Sequence, residues 1–177
     1  EGTANRGGGL GRGAQGSGKE GREAVGAARA GQGKWAGGTA YNRGEGLYRV
    51  AEMLEGRRGQ FVAEVVAGEG LTARQAELAV SEAIDRWVWY AGWTDKIAQV
   101  DGSANPVAGP YFNLSSPEPT GVVAVVAPDS PLMGLVSVVA PLIAVGNTCV
   151  VIASQAAPLL AITFAEVLAT SDVPGGV

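Results

Sequence analysis

Two valine-rich apolar runs in the second half of the chain are each followed by side chains that could contact a ligand. The first run, residues 121–127, precedes Asp129, and the second, residues 148–153, precedes Ser154 and Gln155. A carboxylate accepts hydrogen bonds, whereas a hydroxyl or an amide both donates and accepts them. Because ligands of open α/β sheets bind at the carboxyl ends of the strands, a function for this chain depends on these polar groups.

The elements that would position these groups predict an α/β fold, in which a crossover helix joins two parallel strands. Residues 131–145 separate the two runs and contain no charged side chain. Ser130 is the expected N-cap of this helix, with proline at the first helical position. We expect Ser154 to cap a further helix. Uninterrupted apolar strands are typical of a parallel sheet that is covered on both faces.

The uncharged span of residues 131–153 also permits a transmembrane helix. Pro141 and the pair Gly146 and Asn147 interrupt this span, and no Lys or Arg flanks it as a membrane anchor would. A buried strand and helix is therefore the preferred interpretation, and we expect no membrane partner.

The first half of the chain, residues 19–99, forms a predicted helical segment. Apolar residues at helical spacing predict helices over 19–35 and 41–66, and residues 72–75 have the form of a capping box before a third helix. The side chains expected on the core side are Ala24, Val25, Ala28, Trp35, Leu47, Val50, Ala51, Leu54, Phe61, Val65, Val80, Ala83, Ile84, Trp87, Val88 and Ala91.

An aromatic cluster at residues 87–93 could act as a base-stacking platform. No basic stripe accompanies the rings, and helical spacing directs Trp87 and Tyr90 towards the core. Core packing is therefore the preferred interpretation.

Residues 1–18 are rich in glycine and predict a disordered tail. Residues 11–16, inside this segment, fit the pattern GxGxxG. Residues 13–19, which extend one residue beyond it, fit the first part of a P-loop. Both motifs require a buried strand before the loop, and the preceding sequence cannot form one. Glu20 stands where the P-loop has Ser or Thr, so we interpret both matches as chance.

The composition excludes several kinds of site. The chain has 177 residues and a net charge of −4, which gives no electrostatic reason to expect a nucleic-acid partner. It has no histidine, which excludes Ser-His-Asp and Cys-His catalysis within the chain, and we expect no metal site. The single cysteine, Cys149, cannot form an internal disulfide, and we expect a cytoplasmic protein.

Several segments are similar to motifs of the aldehyde dehydrogenase superfamily. Residues 118–128 read EPTGVVAVVAP, residues 140–148 read APLIAVGNT, residues 90–97 read YAGWTDKI, and residues 173–177 read VPGGV. The resemblance covers residues 17–177 in the order of that family. It implies an aldehyde dehydrogenase-like fold, in which N-terminal helices precede the start of a Rossmann-like parallel sheet, as an incomplete domain and the N-terminal portion of a longer polypeptide.

The resemblance also implies a division of the chain. Residues 100–119, where prolines cluster, would be a strand arm or linker of the kind that such proteins use to oligomerise. Residues 120–177 would be the first βαβα part of the NAD-binding-like domain. The expected partners are the remainder of the same polypeptide and further copies of the protein.

The implied cofactor is NAD or NADP. By resemblance, the cofactor-binding positions are Ala127, Pro128, Asp129, Ile152, Ser154 and Gln155. Active members have an asparagine after the first strand that donates to the oxyanion, whereas an ionised Asp129 cannot donate. They also have a lysine and a glutamate that bind ribose hydroxyls, where this chain has Ile152 and Gln155. We therefore expect degraded cofactor contacts, or no cofactor in this segment.

We expect no catalytic residue in this chain. The resemblance places the catalytic cysteine and the general-base glutamate beyond Val177, and Cys149 lies in a predicted buried strand, where its pKa would be raised. The departures resemble the degenerate second unit of the family-16 aldehyde dehydrogenases. Two hypotheses follow. The chain is a non-catalytic part of an NAD(P)-dependent enzyme that oxidises aldehydes to carboxylic acids, or it is a purely structural, oligomerising module without a cofactor.

Overall fold

The computed structural model describes residues 15–130 and 132–177. The helices in these ranges are α1 (Gly18–Gly37), α2 (Ala40–Gly56), α3 (Arg58–Glu69), α4 (Ala73–Trp93), α5 (Ile97–Val100), α6 (Met133–Ala144) and α7 (Pro158–Thr170). The strands are β1 (Ser103–Asn105), β2 (Asn113–Ser115), β3 (Val122–Val126) and β4 (Thr148–Ile152).

The two apolar runs form a parallel sheet, as the sequence predicts. β3 pairs with β4 in parallel, and the register places Val122 beside Thr148 and Val126 beside Ile152. α6 connects the two strands and buries Leu135, Val136 and Val139 together with three further apolar side chains: Ala140, Ile143 and Ala144. The fold class is therefore confirmed as α/β, with a helical layer packed on the start of a parallel sheet.

The first helix begins at a cap that the sequence analysis missed. Ser17 is the N-cap of α1, and its side chain accepts a hydrogen bond from the backbone N–H of Lys19. Glu20, in turn, accepts a hydrogen bond from the backbone N–H of Ser17 at 2.9 Å. The last residues of the P-loop match, 17–19, therefore form the cap and the first turn of a helix, and the GxGxxG match ends before it. The rest of the predicted tail, residues 1–14, lies outside the described residues.

The helix predicted over residues 41–66 is two helices. The backbone at Arg57 leaves the helical conformation, with φ −109° and ψ 15°, so that α2 ends and α3 begins there. Gly56, a poor helix former, directly precedes this break. α3 continues to Glu69, three residues beyond the predicted end at 66, and Gly70 caps it in the left-handed conformation with φ 68°.

Most of the predicted core side chains are buried, but two of them face outward. Val25 is 41% exposed and Val88 is 43% exposed, although both lie beside positions on the apolar stripe of their helices. Trp87 is fully buried and stacks on Phe164 of α7 with a centroid distance of 5.8 Å. Trp89, by contrast, is 53% exposed, so the aromatic cluster is divided between the core and the surface.

Neither predicted serine cap forms. α6 begins at Met133 after an N-cap at Leu132 that makes no side-chain hydrogen bond, and Ser130 contributes only its carbonyl, which accepts from the N–H of Gly134 at 2.9 Å. α7 begins with Pro158 after Ala157, so Ser154 lies outside that helix and its hydroxyl is used elsewhere.

The N-terminal helices hold the far end of α6 through its carbonyl groups. The indole N–H of Trp35 donates to the carbonyl of Ile143 at 2.8 Å, in a buried position. The guanidinium of Arg43 donates to the carbonyl of Ala144 at 3.2 Å and to that of Gly38 at 2.6 Å. The carbonyl of Ile143 also accepts from the backbone N–H of Gly146 at 3.1 Å, so Trp35 adds a second donor there, whereas Arg43 supplies a donor to the buried last carbonyl of α6.

The same helices also hold the sheet. The hydroxyl of Thr148, at the start of β4, donates to the carbonyl of Ala28 in α1 at 3.0 Å, and both residues are buried. The side chain of Asn147 accepts from the N–H of Gly121 at 2.9 Å, which joins the beginnings of the two strands. These bonds hold the amino ends of β3 and β4 in place. A ligand-binding site would therefore lie at the opposite, carboxyl ends of the strands.

Residues 100–119 contain a separate hairpin, in which β1 pairs with β2 in antiparallel fashion. Its surface includes Tyr111, Phe112 and Leu114, which are between 61% and 86% exposed. Among the described residues, no helix has both the length and the apolar character that crossing a membrane requires.

Replacing Arg43 tests the contact between the N-terminal helices and α6. Arg43→Met keeps most of the side-chain volume but removes the donors to Gly38 and Ala144, so we expect the free energy of unfolding to fall by about 2–4 kcal/mol. Urea unfolding of the protein that carries this chain measures the change. Arg49→Met is the control, because Arg49 forms only an exposed ion pair with Glu52, and its loss should change the free energy of unfolding much less than the loss of Arg43. Equal effects of the two variants would contradict this account.

Candidate functional site

The six positions singled out by resemblance lie together at the carboxyl ends of the two parallel strands. β3 ends at Val126 and β4 at Ile152, and these two residues are register partners. The N–H of Ala127 continues the ladder beyond β3 by donating to the carbonyl of Ile152 at 2.9 Å. The loops that follow, 127–130 and 153–157, therefore leave the sheet side by side, and we call the surface between them the strand-end cleft.

One hydrogen bond joins the two loops. The hydroxyl of Ser154 donates to a carboxylate oxygen of Asp129 at 3.0 Å and accepts from the N–H of Ala156 at 3.2 Å. Ser154 is only 7% exposed, whereas Asp129 lies on the surface of the cleft. The hydroxyl proton of Ser154 is used in the bond to Asp129. This bond holds the Asp129 carboxylate in place at the surface of the cleft.

The floor of the cleft is apolar. Val126 is 76% exposed and Ile152 is 59% exposed, which is unusual for adjacent side chains at the end of a parallel sheet. Gln155 is also exposed and is the uncharged polar group of the second loop. The cleft therefore combines an aliphatic surface with a carboxylate and an amide.

The packing of the first loop onto α6 requires glycine at position 134. A Cβ added to Gly134 would lie 2.6 Å from the Cγ of Pro128 and 3.4 Å from the Cβ of Ser130. Any larger residue would push the loop, and with it Asp129, away from the helix. This close approach explains the position of Pro128, which the sequence analysis assigned to the site without a structural reason.

A second carboxylate, which sequence reasoning missed, contacts the beginning of α6. Glu69, the last residue of α3, is half-buried, and this burial raises the pKa of its carboxyl group. A hydrogen bond from the backbone N–H of Leu132 lowers the pKa in the opposite direction but does not offset the burial. No motif marks Glu69, because its contact depends on how α3 packs against the loop more than sixty residues later.

Cys149 lies on the opposite face of β4 from Ile152 and borders an apolar cavity of about 590 Å³. This cavity is open on one side and is lined by residues of α6, β4, α7 and the segment 173–177. Burial raises the pKa of the Cys149 thiol to about 11. A thiol in such a position is a weak nucleophile, so the chemistry of the cleft does not involve it.

The chemistry of these groups can be compared with what the dinucleotide implied by the resemblance requires of its binding site. A diphosphate is bound by N–H donors at a helix N-terminus or by cationic side chains. Here the cleft presents the carboxylate of Asp129, and Ile152 offers only an aliphatic surface, so neither residue donates to a phosphate. The residues present therefore do not fit the phosphates. The described residues also contain no group of three or more His, Cys, Asp or Glu that is placed to hold a metal ion.

Comparisons of the sequence and of the structure with known proteins point to the same family. Residues 5–177 match the pattern of the "Aldehyde dehydrogenase family". The chain is 34% identical over 151 residues to cytosolic 10-formyltetrahydrofolate dehydrogenase of Pongo abelii, a match that covers 82% of the chain and 16% of that protein. The chain thus spans about a sixth of the length of this relative.

Two solved structures have the same fold. The NAD-dependent benzaldehyde dehydrogenase from Corynebacterium glutamicum is 28% identical, with a TM-score of 0.89 over 99% of this chain and 38% of its own. PnpE in complex with nicotinamide adenine dinucleotide is 27% identical, with a TM-score of 0.92 over 98% of this chain and 36% of its own.

The raised pKa of Cys149 predicts slow alkylation. Since a shift to about 11 leaves little thiolate at pH 8, we expect native Cys149 to react with iodoacetamide about a hundredfold more slowly than in urea. The rate should rise with pH up to that value. Mass spectrometry of the peptide that contains Cys149 measures the rate, and rapid labelling of the native protein at pH 7 would refute the assignment.

The half-buried Glu69 predicts a dependence of stability on pH. Its folded-state pKa is raised, so its contribution is most favourable at low pH and declines as the pH rises through that pKa. Glu69→Gln should therefore gain stability relative to the native protein between pH 4 and pH 8. Urea unfolding across this range measures the difference, with Glu118→Gln, an exposed position, as control. A difference that does not change with pH would contradict the prediction.

Proposed function

Because the chain belongs to the aldehyde dehydrogenase family, we propose that it is the N-terminal, NAD-binding-like portion of a longer protein of that family and is itself non-catalytic. The complete protein would oxidise aldehydes to carboxylic acids with NAD or NADP. The observation that carries the non-catalytic assignment is the hydrogen bond from Ser154 to Asp129, which fixes a carboxylate where the family has an amide donor.

The substituted side chains support weak cofactor binding by this segment. Ile152 cannot form a hydrogen bond, and Gln155 lacks the charge of a glutamate. Losing a charged hydrogen bond costs about 1.5–3 kcal/mol, which is roughly a tenfold to hundredfold loss of affinity at each position. Cofactor binding at the native strand-end cleft would therefore be weak or absent, in keeping with the degenerate unit of the family-16 enzymes.

A second candidate function is a purely structural one, in which the chain assembles the protein and binds no cofactor. The exposed aromatic side chains of the β1–β2 hairpin, Tyr111 and Phe112, favour this candidate. A hairpin with exposed aromatic side chains is suited to pairing with another copy of the protein. We propose that the protein is a homo-oligomer on this basis, and that it is cytoplasmic, as the name of one relative states for that relative.

Restoring the two charged side chains tests the proposal. In the full-length protein, we expect Ile152→Lys combined with Gln155→Glu to add one NAD site per polypeptide, with an affinity at least about tenfold above that of the native cleft. Isothermal titration calorimetry measures the number of sites and their affinities. Val100→Lys with Gln99→Glu makes the same kinds of change on the exposed helix α5 and should add no site.

The proposal of degraded binding would be overturned by the native protein itself. A micromolar NAD site that disappears when Gln155 or Ser154 is replaced by alanine would show that the native cleft binds the cofactor.

A further inference from the structure

We draw no further inference here: the strongest candidate, the apolar cavity beside Cys149 that residues of α6, β4, α7 and the segment 173–177 line, carries nothing, because nothing in the structure shows what covers its open side.

Discussion

The structure depends on the way buried donors from α1 and α2 satisfy the last carbonyls of α6. An apolar helix that ends inside a protein leaves acceptors that water cannot reach, and each one left unpaired costs about 1–3 kcal/mol. Arg43 supplies such a donor to the carbonyl of Ala144, and Trp35 adds a second donor to that of Ile143, which Gly146 also binds; both side chains come from helices separated from α6 by about a hundred residues. These contacts hold the helical layer against α6, which connects the two strands of the sheet. The position of the strand-end cleft depends on this packing.

The two ends of α6 therefore have different roles. At the C-terminal end, side chains of α1 and α2 bind the last carbonyl groups and stabilise the fold. The beginning of α6 lies beside the cleft and contacts Glu69 and the loop that contains Asp129. A substitution at the closed end would leave a buried acceptor unpaired. A substitution in the cleft alters groups that are exposed or that find partners on the surface, as Ser154 and Asp129 do with each other.

Sequence reasoning predicted the parallel sheet, the capping box before α4 and the burial of Trp87, because these follow from periodicity and local composition. It was wrong where contacts between residues far apart in the sequence determine the partners of a side chain. Ser154 has the form of a helix cap, but its hydroxyl donates to a carboxylate in the loop after β3, and α7 begins without it. Glu69 carries no signal in the sequence, since its contact with Leu132 exists only once α3 is packed. The strand ends could be located from the pattern, but the partners of the polar groups there could not.

This separation explains how the chain can keep the family fold with an altered cleft. Function in α/β folds depends on the site and not on the scaffold, and here the groups that would contact a ligand contribute little to the core. Ile152 is mostly exposed, so exchanging a charged side chain for it removes a ligand contact without creating a cavity. The fold therefore requires Trp35, Arg43 and the buried face of α6, and it depends much less on the exposed residues at the strand ends.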